Sequence, residues 1–309
     1  MQITRDPEVL RGYAVPVVAI GNFDGVHAGH QEILQTAMSE ARKAHGSAFA
    51  LTFDPLPAKV LAPERAPKLI LTPEDKLELL GRSGLDAVLV LEFTQELSRL
   101  TPREFVREYL VKRIGVRTVV VGHSVNFGYQ RKGSAQVMTE LGREFGFATR
   151  IVGPVAVEGI EASSTRVREV IGEGDLITAA RLLGRCHFLR GPVVHGRERG
   201  RTIGFPTANL QSRTELLPPD GVYATRIVLA DGSAHGSITN VGMRPTFAEP
   251  ERTIEAHIFD FNRDIYDQEV KLEIIERIRP EKKFESGAAL AAQIASDVKQ
   301  AKEIVARQS

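Results

Sequence analysis

Two styles of apolar patterning divide the chain. Over the first ~185 residues, short runs rich in Val, Ile, Leu or Phe recur at 15–20, 47–53, 86–93, 117–122 and 148–153. Their brevity and continuity predict strands covered on both faces. Amphipathic stretches lie between them. Thr101-Pro102-Arg103-Glu104 offers an N-cap hydroxyl, a proline at the first helical position and a glutamate at the third, the pattern of a capping box. Thr72-Pro73-Glu74-Asp75 opens a second helix similarly, and Ile33, Leu34, Ala37 and Ala41 mark one face of a third. Alternation of this kind predicts a parallel α/β sheet with helices on both faces.

After Gly184 the pattern changes. Short β-type runs at 222–229, 234–239, 253–259 and 269–275 are separated by turn signals such as Pro218-Pro219-Asp220-Gly221 and Asp231-Gly232. They predict an antiparallel barrel or sandwich. Leu290, Ile294, Val298, Ala301 and Val305 recur at helical spacing and predict a terminal helix with one apolar face. The boundary is expected near 184–188, giving domains 1–185 and 186–309.

Composition narrows the function classes. A chain of 309 residues, 42% apolar and 26% charged, suits two soluble globular domains. A net charge of +1 offers no nucleic-acid-binding face. No run approaches the ~18 apolar residues of a membrane span, and residues 1–6 lack a basic-then-apolar leader. The one cysteine, Cys186, permits no internal disulfide and is expected as a small buried hydrophobe; a cytoplasmic protein is expected.

Candidate chemistry begins where the first strand meets the first helix, at Gly21-Asn22-Phe23-Asp24-Gly25-Val26-His27-Ala28-Gly29-His30. A glycine-rich turn at that place directs amides and a helix N-terminus at phosphates. His27 and His30 share a helix face, so both imidazoles can donate to one phosphate group. Two plainer readings are solvent-facing residues of the helix start and a metal site, for which no third ligand is suitably spaced. At Ala162-Ser163-Ser164-Thr165-Arg166-Val167-Arg168 a capped helix carries basic residues in its first turn, against its dipole. An anionic ligand would account for them; a capped surface helix is the alternative.

In the second half, Gly200-Arg201-Thr202-Ile203-Gly204-Phe205-Pro206-Thr207-Ala208-Asn209 is dense in glycine. Thr207 and Asn209 fall on one face of extended chain, where hydroxyl and amide oxygens suit Mg²⁺ shared with a phosphate. A tight turn stabilised by its own asparagine is the alternative. Glu255 sits in an alternating strand on the face opposite Ile254 and Ala256, with His257 beside it.

The first loop resembles that of the Rossmann-like HxGH nucleotidyltransferases and, more narrowly, of bacterial bifunctional riboflavin kinase/FAD synthetases. The 200–209 stretch is similar to the riboflavin kinase signature Gly-Arg-x-x-Gly-Phe-Pro-Thr-Ala-Asn. Gly221-Val222-Tyr223, Asn240-Val241-Gly242-Met243-Arg244-Pro245-Thr246-Phe247, Ile254-Glu255-Ala256-His257-Ile258-Phe259-Asp260-Phe261 and Arg279-Pro280-Glu281-Lys282-Lys283-Phe284 follow in order. The resemblance implies riboflavin, FMN, FAD and ATP as small-molecule partners, with Mg²⁺. In the adenylyltransferase it implies His27 and His30 in catalysis, and Gly21, Asn22, Asp24, Gly29, Ser164, Thr165 and Arg168 on ATP. In the kinase it implies Glu255 as general base, Thr207 and Asn209 on metal, and Gly200, Arg201, Gly204, Phe205, Pro206, Asn240 and Arg244 on ATP or flavin. Two departures stand out. Ser124-Val125 replaces Asp-Phe in the loop 121–128, and Leu56 stands where histidine is more familiar. They imply a weakened adenylyltransferase or one of altered preference, with Asn126 replacing some of the missing hydrogen bonding. A kinase whose first domain only binds nucleotide and a flavin-binding regulator are the competing classes. The sequence leaves the oligomeric state open.

Overall fold

The computed structural model describes residues 1–196, 205–244 and 251–308. By contacts the chain forms two compact units, Met1–Ser164 and Thr165–Ser309.

The first unit is built on six strands: β1 (Gln2–Thr4), β2 (Pro16–Ile20), β3 (Ser47–Asp54), β4 (Ala87–Glu92), β5 (Thr118–Gly122) and β6 (Ala148–Val152). All neighbours are parallel, in the order β1-β4-β3-β2-β5-β6. The helices are α1 (Ala28–Lys43), α2 (Pro57–Leu61), α3 (Pro73–Gly81), α4 (Gln95–Ser98), α5 (Pro102–Phe105) and α6 (Ala135–Phe145). Residues Val106–Ile114 continue α5 as a wider π-helix. The expected capping box forms: Thr101 Oγ1 accepts from the Glu104 amide at 3.2 Å, and Glu104 accepts from the Thr101 amide at 2.8 Å. Val18, Phe49, Leu51, Leu89, Val119 and Val121 of the sheet pack on Leu110, Ile114 and Met138, which is why the central strands read as unbroken apolar runs.

Two strands differ from expectation. β1 carries no apolar run, since it is a three-residue edge paired only with β4. β6 was expected to be covered on both faces, yet Ala148, Arg150 and Ile151 are exposed, because β6 is the opposite edge. Arg150 covers part of that edge by pairing with Glu40 of α1 at 2.7 Å.

A short hairpin of β7 (Ala156–Val157) and β8 (Ile160–Glu161) leads to α7 (Ser164–Glu173) and α8 (Leu176–Leu183). The second unit then closes an antiparallel barrel from β9 (His187–Val194), β10 (Ala208–Leu210), β11 (Gly221–Val228), β12 (Ala234–Arg244), β13 (Glu251–Ile258) and β14 (Glu269–Pro280). Around the barrel the order is β10-β13-β12-β11-β14-β9, with β9 returning to β10. The strand pattern alone suits barrel or sandwich, the resemblance to riboflavin kinases implies the barrel, and the β9–β10 pairing shows it. Inside it Thr225, Ser237 and Thr239 are fully buried and share hydroxyl hydrogen bonds of 2.7 Å. Outside, Val222, Ala224, Ile238 and Ile275 pack against Ala301 and Ile304 of the terminal helix α9 (Gly287–Ala306).

The composition change near 184–188 coincides with the start of β9, whereas the contact division falls earlier, after Ser164. α8 accounts for part of the difference: it buries Leu176, Ala179, Leu182 and Leu183 and packs on β9 and β14.

Candidate active sites

From β2 the chain crosses to β3 and β4 on one side, then returns to β5 on the other. The carboxyl end of β2 is therefore a topological switch point, where open α/β sheets form their ligand crevice. The loop 21–27 starts there. Phe23, Gly25 and Val26 have φ of 51°, 90° and 43°. Phe23 and Val26 thus occupy the left-handed region without being glycine, a cost that needs support from the surroundings. The support is visible. Thr52 of β3 donates its hydroxyl to the Asn22 carbonyl at 3.1 Å. The Ser164 hydroxyl donates to the Asp24 carbonyl at 2.8 Å, and the Gln31 amide to the Val26 carbonyl at 2.9 Å. The Asp24 carboxylate, expected on ATP, is buried and accepts from the Ile70 and Leu71 amides at 3.1 and 3.3 Å.

His27 caps α1: its Nδ1 accepts from the His30 amide at 3.4 Å, which leaves the ring proton on Nε2. The His27 and His30 rings stack with centroids 3.7 Å apart, so the two imidazoles are brought together as the spacing implies. Phe23 meets His30 edge-on at 5.2 Å. Gly29 is required by close approach, since a Cβ there would lie 2.9 Å from the Ala162 carbonyl oxygen and 3.2 Å from the His27 ring. Gly21 and exposed Asn22 lie on the same loop, and Thr165 and Arg168 follow Ser164 in α7.

Sequence reasoning missed Lys76. It lies on α3, is 8% exposed, and donates to Thr52 Oγ1 at 3.2 Å and the Phe53 carbonyl at 2.9 Å. Burial pushes its ammonium below the usual lysine range, while Asp54 and Asp24 pull it back. The only available signal was a lysine four residues before Leu80, on the helix face that turns inward. At the departures from the family pattern, Leu56 is buried, Val125 packs against the core, and the Asn126 amide donates to the Ser124 carbonyl at 2.9 Å.

In the barrel, register assembles the second site. Asn209 of β10 pairs with Glu255 of β13, which pairs in turn with Asn240 of β12. Directly opposed residues project from the same face, so the three side chains form one row. That face is opposite to Ile254 and Ala256, as the alternation predicts. The Asn240 amide donates to Glu281 at 3.1 Å. A Cβ on Gly196 would overlap the Asn209 amide, so the glycine makes room for it. His257 Nδ1–H donates to the Pro206 carbonyl at 2.8 Å, and its ring meets Phe205 edge-on at 5.4 Å. A cavity of about 490 Å³ lies beside Thr207 and is also lined by Ala208, Ala256, Ile258, Phe261 and Tyr266. Tyr266 stacks on His195 with centroids 3.8 Å apart. The sequence assigned the 261–266 segment no role beyond its first residue; its signal was an aromatic residue at each end. Gly200, Arg201 and Gly204 lie outside the described residues, as do Pro245, Thr246 and Phe247; Arg244 is the last residue of β12.

Among the described residues no group of three or more His, Cys, Asp or Glu is arranged to hold a metal. The donors called for a metal, the Thr207 hydroxyl and the Asn209 amide oxygen, are both oxygens. That set fits Mg²⁺, which completes its shell with water and substrate phosphates rather than an all-protein cage. Among the described residues no helix is long and apolar enough to cross a membrane.

Comparison with known proteins matches both halves. The FAD synthetase family model covers residues 13–166 and the riboflavin kinase family model residues 183–305. The bifunctional riboflavin kinase/FMN adenylyltransferase of Escherichia coli K12 is 36% identical over 93% of this chain and 92% of its own length. That of Bacillus subtilis 168 is also 36% identical, with the same coverage. A crystal structure of a Streptococcus pneumoniae protein described as a macrolide-efflux protein superposes with a TM-score of 0.87 at 34% identity, covering 97% of this chain and 98% of that one. The chain belongs to the family of bifunctional riboflavin kinase/FMN adenylyltransferases.

Proposed function

We propose that the barrel phosphorylates riboflavin with ATP, and that the α/β unit adenylylates the resulting FMN to give FAD and pyrophosphate, with catalytic halves 1–185 and 186–309. The observation that carries the first step is the strand register that brings Asn209, Glu255 and Asn240 into one row within the half matched by the riboflavin kinase family. The second step is supported by stacked histidines at the switch point. Family matches to both halves favour two activities over a kinase with an idle first domain and over a regulator, and lend no support to the weakening inferred from Leu56, Ser124 and Val125.

In the kinase, Glu255 takes the proton of the ribityl 5′-hydroxyl as its oxygen attacks the γ-phosphorus and the bond to the β-bridging oxygen breaks, releasing ADP. Thr207 and Asn209 would hold Mg²⁺, which supplies charge neutralisation at the phosphates. Phosphoryl transfer depends chiefly on position and charge, so few catalytic groups suffice. The 261–266 segment gives the cavity beside Thr207 both apolar surface, from Phe261, Ile265 and Tyr266, and polar groups, from Asn262, Arg263 and Asp264. Phe205, Pro206, Asn240 and the residues Gly200, Arg201, Gly204 and Arg244 complete binding of ATP or flavin.

In the adenylyltransferase, an FMN phosphate oxygen attacks the α-phosphorus of ATP and the α–β bridging bond breaks. His27 and His30 donate to the charge that grows there. Loop amides at 21–25, Gly29 and Ser164 cradle the phosphates, and the resemblance adds Thr165 and Arg168. Asp24 serves by holding the loop, because its carboxylate is spent on two amides. Cys186 has no disulfide partner, which suits a cytoplasmic enzyme.

Incubation with riboflavin and MgATP, followed by separation of products, tests the reading. FMN followed by FAD is expected. FMN alone would remove the second activity, and neither product would overturn the proposal.

A further inference from the structure

Burying a lysine is expensive unless its donors are used. Lys76 nevertheless sits beneath the phosphate loop, 8% exposed, with its ammonium on Thr52 Oγ1 and the Phe53 carbonyl. With its oxygen engaged by Lys76, Thr52 directs its only proton to the Asn22 carbonyl at 3.1 Å. A charged donor on the hydroxyl oxygen polarises that O–H and strengthens the second bond. The peptide unit is planar and trans, so its C=O and the following N–H point in opposite directions. Tying the Asn22 carbonyl to Thr52 therefore turns the Phe23 N–H away from β3. Phe23 has a φ of 51°, a conformation that must be held in place.

We propose that Lys76 is a positioning residue for adenylyl transfer: acting through Thr52, it fixes the 22–23 peptide so that the Phe23 N–H is presented to the triphosphate. The proposal rests on the adenylyltransferase reading above. Lys76 touches no substrate; its effect is geometric and passes through one hydroxyl.

The test uses the full chain, with kinase turnover as an internal control. Thr52→Val keeps the shape and deletes the relay, and Lys76→Met deletes its anchor. Each is expected to lower kcat for FAD formation from FMN roughly ten- to a hundred-fold, with the KM for ATP changed less than about three-fold and riboflavin phosphorylation unchanged. Thr52→Ser, which keeps the hydroxyl, should recover most of the loss. Because the two side chains act in series, the double variant should be no worse than the poorer single one. A Thr52→Val enzyme with the parent kcat would overturn the proposal, as would losses that multiply or a serine variant no better than valine. The Thr52 pair decides even where Lys76→Met fails to fold. A parent protein that makes FMN but no FAD would overturn the adenylyltransferase reading, and this proposal with it.

Discussion

Asn209 and Glu255 stand directly opposite each other across β10 and β13. An amide and a carboxylate are thereby brought side by side from segments more than forty residues apart. General bases contribute roughly 10²–10⁴-fold. Glu255→Gln is expected to lose kinase turnover on about that scale while converting supplied FMN to FAD at the parent rate. Separate assays started from riboflavin and from FMN check both halves of the expectation.

His257 acts one step back from this row. Its hydrogen bond to the Pro206 carbonyl fixes the residue that precedes Thr207. A neutral hydrogen bond contributes about 0.5–1.5 kcal/mol. His257→Phe should therefore lower kinase kcat/KM roughly two- to ten-fold, and His257→Gln, which retains a donor, should lose less. Steady-state kinetics with ATP varied will show whether the ranking holds.

His187 supplies a pH-dependent element of stability. It is buried, its Nε2–H meets the Leu216 carbonyl at 3.0 Å, and burial pushes its pKa down to about 4 from 6.5. Between those two values the unfolded chain binds the proton and the folded barrel does not. Its stabilising contribution is thus complete above pH 6.5 and is lost as pH falls toward 4. The loss is on the order of 3 kcal/mol. Denaturant titrations of the barrel transition across this window should be steeper in pH for the parent than for His187→Gln.

Gly29 and Gly12 form a matched pair for mutagenesis. A Cβ at Gly29 would press on the Ala162 carbonyl and the His27 ring, whereas Gly12 has nothing within 4 Å. Gly29→Ala is expected to shift the His27 ring and lower FAD formation, by less than the roughly hundred-fold that a ~1 Å misplacement costs. Gly12→Ala should leave FAD formation unchanged.

Truncation examines α8. A fragment beginning at Thr165 keeps the apolar face of Leu176, Ala179, Leu182 and Leu183, and one beginning at His187 exposes the β9 and β14 surface beneath it. The shorter fragment should melt more than about ten degrees lower, because Leu176, Leu182 and Leu183 each forfeit roughly 1.5–3 kcal/mol of burial and a domain of this size loses a few degrees per kcal/mol. Equal melting temperatures would mean that α8 contributes nothing to the barrel.

Much of this was legible in the sequence. β2 to β5 announced themselves because a strand covered on both faces has no polar side to interrupt it. Thr101 and Glu104 needed only local geometry to form their box. The juxtaposition of His27 and His30 and the face of Glu255 were legible because helix spacing and strand alternation fix them locally. What escaped depends on distant parts of the chain. β1 is a strand only because β4 lies beside it, and β6 is exposed only because nothing pairs beyond it. Lys76 reads as an ordinary helix residue until Thr52, twenty-four positions earlier, is placed above it. Tyr266 has meaning only once the chain folds back beside Thr207.

β10 has only three residues, the fewest of any barrel strand among the described residues, and pairs with β13 and β9 through two residues each. It is also the strand that closes the ring and carries Asn209. The weakest seam of the barrel and one wall of the kinase site are therefore the same piece of chain. Opening that seam sacrifices few ladder bonds, so amide hydrogens at 208–210 should exchange far sooner than those of β11 or β12. Each such opening separates Asn209 from Glu255 while the rest of the barrel stays folded. On the proposed role of Asn209, riboflavin phosphorylation should fall under conditions that open this strand before the domain as a whole unfolds.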